Sequence, residues 1–148
     1  ENDDKVFNIV DVLKLCNTLE IPMVLDVHHY LCNNEGENLY DYLDRIFTLI
    51  MRIWQTKKVH LSCPKDGEFD RRHADFIDWK AFVDFLYKTR EIVKLDFDIM
   101  LESKKKDLAL FKLIDDIKKN TDIEFLDDTT LRLWDWGMLV WLHIFFKY

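Results

Sequence analysis

The feature that most restricts the fold is an alternation of helical segments with short apolar runs. The runs predict strands at Pro22–Asp26, Lys58–Ser62 and Lys94–Met100. The first run, "IPMVL", is too short for a helix and is apolar on both faces, as in a covered parallel sheet. From one run's end to the next the chain advances 36 and then 40 residues, and the third run ends at Glu102. This spacing predicts an α/β protein with the βα units of a parallel barrel or a doubly wound sheet.

Four segments around these runs carry apolar residues at three- and four-residue spacing, which is typical of one face of a helix. The second of them extends from Leu39 to Trp54 and the fourth from about Lys105 to Lys119. We expect Asn2, Asp3 and Asp4 to cap the start of the first helix. The predicted inward residues are Val6, Ile9, Val10, Leu13 and Cys16; Leu43, Ile46, Phe47, Ile50 and Ile53; Trp79, Phe82, Val83, Leu86 and Tyr87; and Leu108, Leu110, Phe111 and Ile114.

Composition limits the class of protein. The 148 residues are 49% hydrophobic, enough for one domain with its own core. A formal charge of −7 argues against a nucleic-acid binder that relies on a general basic field, although bound divalent cations reverse the local sign. Three cysteines without a CxxC pair indicate a reduced, intracellular protein, in a prokaryotic cytoplasm or in a eukaryotic nucleus or mitochondrion. The opening "ENDDKVFN" has no initiator Met and no targeting features, so we expect a chain that starts inside a larger protein.

The last residues, 134–148, form an apolar and aromatic segment of unknown role. The ending "LWDWGMLVWLHIFFKY", residues 133–148, is too short and too interrupted by polar residues to predict a membrane span. A packing segment or an unrelated read-through tail is the expected role, and an anchor for a membrane or a partner is the alternative. We therefore divide the chain into residues 1–133 and a tail of residues 134–148.

Acidic and histidine residues gather where the predicted strands end. Asp26 ends the first run, and His28 and His29 lie just beyond it. His60 lies in the second run with Lys58 two residues before it, and Glu102 ends the third. Glu1 precedes the first run, and His73 follows the second. In α/β barrels the carboxyl ends of the strands build the active site. Carboxylates mixed with imidazoles suit Zn²⁺, Mn²⁺ or Fe²⁺ better than Mg²⁺ or Ca²⁺, and such sites occur in multi-metal phosphodiester hydrolysis.

Each of these residues also has a structural alternative. An aspartate at a strand end is commonly a helix cap, and a histidine on a strand is commonly a core residue. Glu102 can simply begin the next helix, where its charge favours the helix dipole. From spacing alone, the metal site and these structural roles both stay open.

Five segments together resemble one known family, the UV damage endonucleases of the UvdE type. They are "ENDD", "LDVHHY", "KVHLSCPK", "RRHADFID" and "DIMLESKKKDLAL", and the likeness covers roughly residues 1–133. "RRHAD" and "MLESKKKD" are the most specific of them. The resemblance implies a partial TIM-type barrel of about the last four βα units, similar to endonuclease IV. It also implies nicking of DNA 5′ to ultraviolet photoproducts.

The resemblance further implies roles for individual residues. Glu1 is expected to bridge two ions of a divalent metal cluster, most commonly of Mn²⁺, with Zn²⁺ or Fe²⁺ as alternatives. Asp26, His60 and Glu102 would complete the ligands of the second ion, and His29 and His73 would hold the third. Lys58 would lie near the metals, either contacting phosphate or carboxylated. Arg71 and Arg72 are candidates for phosphate contacts, since a guanidinium is a planar bidentate donor. Glu1, Lys58 and Glu102 are the expected catalytic residues, and His28 is expected either to support the neighbouring ligands or to pack against the strand.

The chain also departs from the family pattern. The family's first-half ligands and lesion-probing side chains lie upstream of its start, and Cys63 stands where a serine is usual. We therefore expect damaged double-stranded DNA and the missing amino-terminal half as partners, and no membrane. Three alternatives stay open: an abasic-site endonuclease of the endonuclease IV type, a sugar isomerase with a similar metal site, and a truncated, non-catalytic metal-binding remnant.

Overall fold

The structure is a computed structural model that describes residues 1–53, 58–135 and 138–146, with side-chain surroundings for residues 1–49 and 58–133. Within these ranges the elements, in chain order, are α1 (Ile9–Leu19), β1 (Leu25–Asp26), α2 (Val27–Cys32), α3 (Tyr40–Ile53), β2 (Lys58–Leu61), α4 (Trp79–Ile92), β3 (Phe97–Leu101), α5 (Asp107–Asn120), β4 (Glu124–Phe125), β5 (Thr130–Asp135) and β6 (Met138–Phe146). Trp54, the predicted end of the second helix, lies outside the described residues, as do the surroundings of the Ile50 and Ile53 side chains.

The described strands form one sheet in the order β1-β2-β3-β6-β5-β4. The pairs β1–β2, β2–β3 and β3–β6 are parallel, whereas β5 is antiparallel to both β4 and β6. The prediction of three parallel strands in chain order is thus confirmed, and the protein is of the α/β class. The barrel itself stays a prediction.

Strand alternation gives the sheet two different faces. Leu25, Val59 and Ile99 are register partners across β1, β2 and β3, and all three are fully buried. Together with Leu61 and Leu101 they join a core that includes residues of every long helix, such as Leu13, Leu43, Phe82 and Leu113. Since side chains alternate along a strand, the neighbouring positions project from the opposite face. That second face carries Lys58, His60 and Asp98, so the polar residues of the strands share one side.

Helix α1 begins three residues later than the apolar spacing predicts. Asn8 is its cap: the side-chain oxygen accepts from the Val10 and Asp11 backbone N–H groups at 2.9 and 3.0 Å, and Asp11 accepts from the Asn8 N–H in return. Asp3 instead closes a turn with the N–H groups of residues 5–7. The predicted cap was therefore wrong, and Val6, predicted inward, is 66% exposed.

Helix α5 also differs from its predicted inward face. Its buried residues are Ala109, Leu110, Leu113, Ile114 and Ile117. Leu108 and Phe111 are 59% and 61% exposed, so their predicted inward positions were wrong. Both sets have helical spacing, and only packing against the sheet selects between them. In α4, Phe82 and Leu86 are buried as predicted, while Tyr87 is half-exposed.

The predicted boundary at residue 133 falls within β5, and residues 138–146 pair as β6 with β3 and β5. The division of the chain at that point stays a prediction. Within the part of the chain that the structure describes, no helix is both long and apolar enough to cross a membrane.

Candidate metal centre

The core of the site is built by the carboxyl ends of three parallel strands. Asp26 is the register partner of His60 across β1 and β2, so both project from the polar face. Glu102 directly follows β3, and its backbone N–H donates to the Leu61 carbonyl at 3.0 Å. This hydrogen bond places Glu102 beside the end of β2. The sheet thus brings together three residues that are far apart in the sequence.

His60 is the centre of the cluster. Its Nδ1 lies 3.0 Å from Oε2 of Glu1 and 3.2 Å from Oε1 of Glu102. Glu1, Asp26 and His60 each offer a ligand atom within 4.8 Å of the others. The other Glu102 oxygen lies 4.0 Å from Nδ1 of His73. Glu1, Asp26, His60 and Glu102 therefore converge on one place, with His73 beside them.

His29, the remaining predicted ligand, also lies beside this cluster, with its Nδ1 3.6 Å from Oδ2 of Asp26. Its Nδ1 lies 2.9 Å from the Asn2 carbonyl oxygen, which can only accept, so Nδ1 carries the proton. The lone pair of His29 is then on Nε2, the arrangement usual for a histidine that binds metal through Nε2. The His28 ring is a neighbour of both other histidine rings, with its centroid 6.4 Å from that of His29 and 5.1 Å from that of His73.

Asp26 serves two purposes at once. Its Oδ1 accepts from the His29 backbone N–H at 2.9 Å and so caps α2. The carboxylate also belongs to the cluster with Glu1 and His60. The cap and the ligand, which sequence reasoning treated as alternatives, are compatible because a carboxylate has two oxygens.

Asn2 is a site residue that the sequence analysis missed. Its fully buried side chain donates to the Asp26 carbonyl and accepts from the Asp26 N–H, both at 2.9 Å. Asn2 thereby occupies the edge of β1 as a neighbouring strand would, and it fixes Glu1 and the carbonyl that holds His29. No local pattern indicates this role, since the partner is 24 residues away.

The 64–73 loop brings His73 to the site. Pro64 and His73 form an isolated β-bridge at its base, and the Ala74 N–H donates to the Cys63 carbonyl at 2.8 Å. Near the tip, Nε2 of the fully buried His28 lies 2.8 Å from the Asp70 carbonyl oxygen. The loop is thus attached to the body of the protein at its base and near its tip.

The two arginines predicted to contact phosphate differ in their surroundings. Arg72 donates to both Asp70 oxygens, at 3.0 and 2.6 Å, and to Asp66 at 2.9 Å. This pairing raises the pKa of Arg72 and holds the pKa of Asp70 well below its ordinary value. Arg71 has a looser partner, Asp4, at 3.7 Å, and is half-exposed. Arg72 therefore braces the loop, whereas Arg71 has more freedom to meet a ligand.

Lys58, the predicted catalytic lysine, lies on the same face of β2 as His60, one residue pair further from the carboxyl end. Its register partner on β3 is Asp98. Among the described residues, its amino group makes no ion pair. The structure thus puts Lys58 on the site face without bringing it into the cluster of ligand atoms.

Burial shifts the pKa values of two titratable groups in the site. Desolvation raises the pKa of Asp26 above its ordinary value, against the lowering effect of the His29 N–H. Desolvation lowers the pKa of His73, and the neighbouring His28 lowers it further. A neutral His73 is the form that binds metal, while a bound cation would restore a charged Asp26.

The donor set fits a divalent cation. Two ligand atoms about 2.1 Å from one ion, at angles between square and tetrahedral, are about 3.0–3.4 Å apart. The distances of 3.0 and 3.2 Å from His60 to Glu1 and Glu102 fall in this range. One shared proton can bridge His60 to only one of the two carboxylates, whereas a cation contacts all three groups.

Fold and site together define a parallel α/β protein with a cluster of carboxylates and imidazoles, suited to divalent cations, at the carboxyl ends of its strands. Comparison with known proteins then gives the family. The model of the UV-endonuclease UvdE family matches residues 1–135, and the chain belongs to that family.

The chain is similar to curated relatives over most of its own length. It is 38% identical over 132 residues to the UV DNA damage endonuclease of Bacillus mycoides, covering 89% of this chain and 41% of that protein. It is 39% identical over 136 residues to the UV DNA damage endonuclease of Halalkalibacterium halodurans, with the same coverage. The crystal structure of SacUVDE matches with a TM-score of 0.60 and 32% identity, covering 80% of this chain and 38% of that one. The chain thus spans about two fifths of the length of these relatives.

Proposed function

We propose that this chain is the carboxyl-terminal part of a metal-dependent DNA repair endonuclease that nicks DNA 5′ to ultraviolet photoproducts. The observation that carries the proposal is the convergence of Glu1, Asp26, His60 and Glu102 in a chain of the UvdE family. The named relatives are UV DNA damage endonucleases, which supports this substrate class over abasic DNA or sugars.

The proposed architecture is part of a TIM-type barrel related to that of endonuclease IV. Parallel strands normally have both faces covered, and the apolar core packs the helices against the face of β1 to β3 that carries Leu25, Val59 and Ile99. The polar face with Lys58, His60 and Asp98 would form the barrel interior, and β1 would pair with a further strand. The segment that corresponds to the rest of the relatives' length is the proposed partner for this closure.

The proposed roles follow from position. Glu1 would bridge two ions, Asp26, His60 and Glu102 would hold one of them, and His29 and His73 would bind a neighbouring ion. A Mn²⁺ cluster, with Zn²⁺ or Fe²⁺ as alternatives, supplies polarisation of the phosphate, an activated water and stabilisation of the leaving 3′-oxygen.

Other residues would act on the DNA itself. Arg71 would contact a backbone phosphate of damaged double-stranded DNA, and Arg72 would contribute mainly by holding the loop in shape. Lys58 would contact phosphate or act as a modified lysine beside the ions.

The test is a chimera in which residues 1–133 replace the matching segment of the Bacillus mycoides endonuclease. With Mn²⁺, and a duplex carrying one defined photoproduct, we expect a nick 5′ to the lesion on a sequencing gel. Glu102→Gln should abolish nicking and spare most DNA binding. Glu91→Gln is the matched control, because Glu91 is exposed in the last turn of α4, near the opposite end of the sheet.

The alternatives give different products. A folded chimera that cleaves an abasic duplex and ignores the photoproduct would indicate an endonuclease IV-type activity. A folded, Mn²⁺-binding chimera that cleaves neither would refute the proposed function and favour the non-catalytic remnant.

A further inference from the structure

His28 is a fully buried histidine beside the candidate metal centre, and the proposed function does not use it. Its Nε2 lies 2.8 Å from the Asp70 carbonyl oxygen, 42 residues away. A carbonyl oxygen only accepts, so Nε2 donates, and the proton of the neutral ring is on that atom. Nδ1 is buried as well and has no hydrogen-bond partner in the described part of the chain. A purely apolar packing role would not require a ring with one committed donor and one buried acceptor.

The Asp70 carbonyl belongs to a loop that is internally braced. Arg72 pairs with Asp70 and Asp66, the Asp66 N–H donates to Asp70 at 3.0 Å, and the Lys65 N–H donates to the Arg72 carbonyl at 2.8 Å. These contacts fix the shape of the 64–73 loop and do not attach it to the rest of the protein. Near the tip, two contacts attach the braced loop to other parts of the chain: the 3.7 Å ion pair of half-exposed Arg71 with Asp4, and the buried 2.8 Å hydrogen bond from His28.

His28 supplies such an attachment at the point where it affects His73. Asp70 is three residues before His73, and the His28 ring itself meets the His73 ring edge-on, with centroids 5.1 Å apart and planes at 67°. His28 lies in the first turn of α2, two residues after Asp26, which caps the helix and ends β1. The position of His28 is therefore tied to β1. One side chain thus connects β1, with its ligand Asp26, to the loop that carries His73.

We propose that His28 is a positioning residue that holds the 64–73 loop so that His73 stays at the metal centre. The inference rests on the proposed function for the role of His73 as a ligand, while the attachment of the loop can be tested without any metal. Residues that orient metal ligands typically change metal affinity about 10- to 100-fold when they are replaced.

The first measurement is limited trypsin digestion of the metal-free 148-residue chain, followed by mass spectrometry. The loop contains the cleavable residues Lys65, Arg71 and Arg72, and exposed Lys94, between α4 and β3, is the internal reference. We expect His28→Leu to raise cleavage within the loop at least about tenfold relative to cleavage at Lys94. His28→Gln, whose amide nitrogen can donate to the Asp70 carbonyl, should restore most of the protection.

The second measurement is Mn²⁺ binding, monitored through the loss of the free-ion signal in electron paramagnetic resonance. His28→Leu should weaken binding at least about tenfold, and His28→Gln should recover most of the affinity. Leu43→Ala is the control, because Leu43 is fully buried in α3 and belongs to the apolar core. It should increase cleavage at all sites alike rather than in the loop alone.

The two measurements separate this inference from the proposed function. Unchanged loop protection in His28→Leu, or a loss of protection no more selective than in Leu43→Ala, would overturn the positioning role. If the unmodified chain binds no Mn²⁺, the proposed metal site fails, and the digestion alone decides whether His28 holds the loop.

Discussion

Asn2→Ala is the substitution that most directly tests how the site is assembled. The Asn2 side chain is fully buried and makes two hydrogen bonds of 2.9 Å to the backbone of Asp26. Alanine leaves an N–H and a carbonyl of β1 without these partners. A buried polar group that loses its partner costs about 1–3 kcal/mol, so the two together give about 2–4 kcal/mol after some entry of water. This is a large share of the ~5–15 kcal/mol by which domains are stable.

The assay is urea denaturation of the 148-residue chain, monitored by circular dichroism. With a slope of about 1.5 kcal/mol per molar urea, the midpoint should fall by about 1–3 M. Mn²⁺ affinity, measured by calorimetry, should fall at least about tenfold, because Asn2 also positions Glu1 and, through its carbonyl, His29.

Asn8→Ala is the matched control, because Asn8 is also a nearly buried asparagine. Its side chain caps α1 and donates to Glu37, so its loss should cost about 1 kcal/mol and leave Mn²⁺ affinity unchanged. The reasoning is refuted if Asn2→Ala is no more destabilising than Asn8→Ala and binds Mn²⁺ as tightly as the unmodified chain.

Three further predictions concern pH, packing and activity. Burial raises the pKa of Asp26 above the 3.8 of an ordinary aspartate, so between these two pKa values the folded metal-free chain holds a proton that the unfolded chain releases. The stability of the metal-free chain should therefore fall as the pH rises from 3.8 to the raised pKa of the folded state. Asp26→Asn should remove this fall and abolish Mn²⁺ binding; equal pH dependence of urea midpoints in both chains would contradict it. Phe47→Ala should cost about 3–5 kcal/mol in urea denaturation, since Phe47 is 1% exposed and meets Phe97 edge-on at 5.3 Å; a loss below about 1 kcal/mol would show that the site refills. The chain by itself should not nick irradiated DNA in a gel assay with Mn²⁺, because it spans 41% of the length of its relatives, and efficient nicking would show a self-sufficient enzyme.

The sequence predicted β1, β2 and β3, and the approach of polar residues at their carboxyl ends, because both depend on local pattern, whereas β4, β5 and β6 were not predicted. Short apolar runs define β1, β2 and β3, and polar residues at their ends identify Asp26, His60 and Glu102. Parallel strands place their carboxyl ends at one edge, so convergence follows from the fold class alone.

The parts that the sequence did not predict depend on contacts between distant residues. Asn2 and His28 act through backbone groups 24 and 42 residues away, and nothing in their neighbourhood indicates those partners. The inward face of α5 was misjudged for a related reason. Phe111 and Leu113 are both apolar and helically spaced, but only the sheet position decides that Phe111 is exposed and Leu113 is buried.

The register of β1 and β2 links the chemistry of the site to the folding of the sheet. Asp26 and His60 are direct partners, and the apolar pair Leu25 and Val59 is the next one along. Because side chains alternate, a slip or an insertion of one residue in β2 would turn His60 into the apolar layer and Val59 toward the site. Such a change would remove a ligand and bury an imidazole in the core in a single step. Evolution therefore has little room to alter the length of this strand.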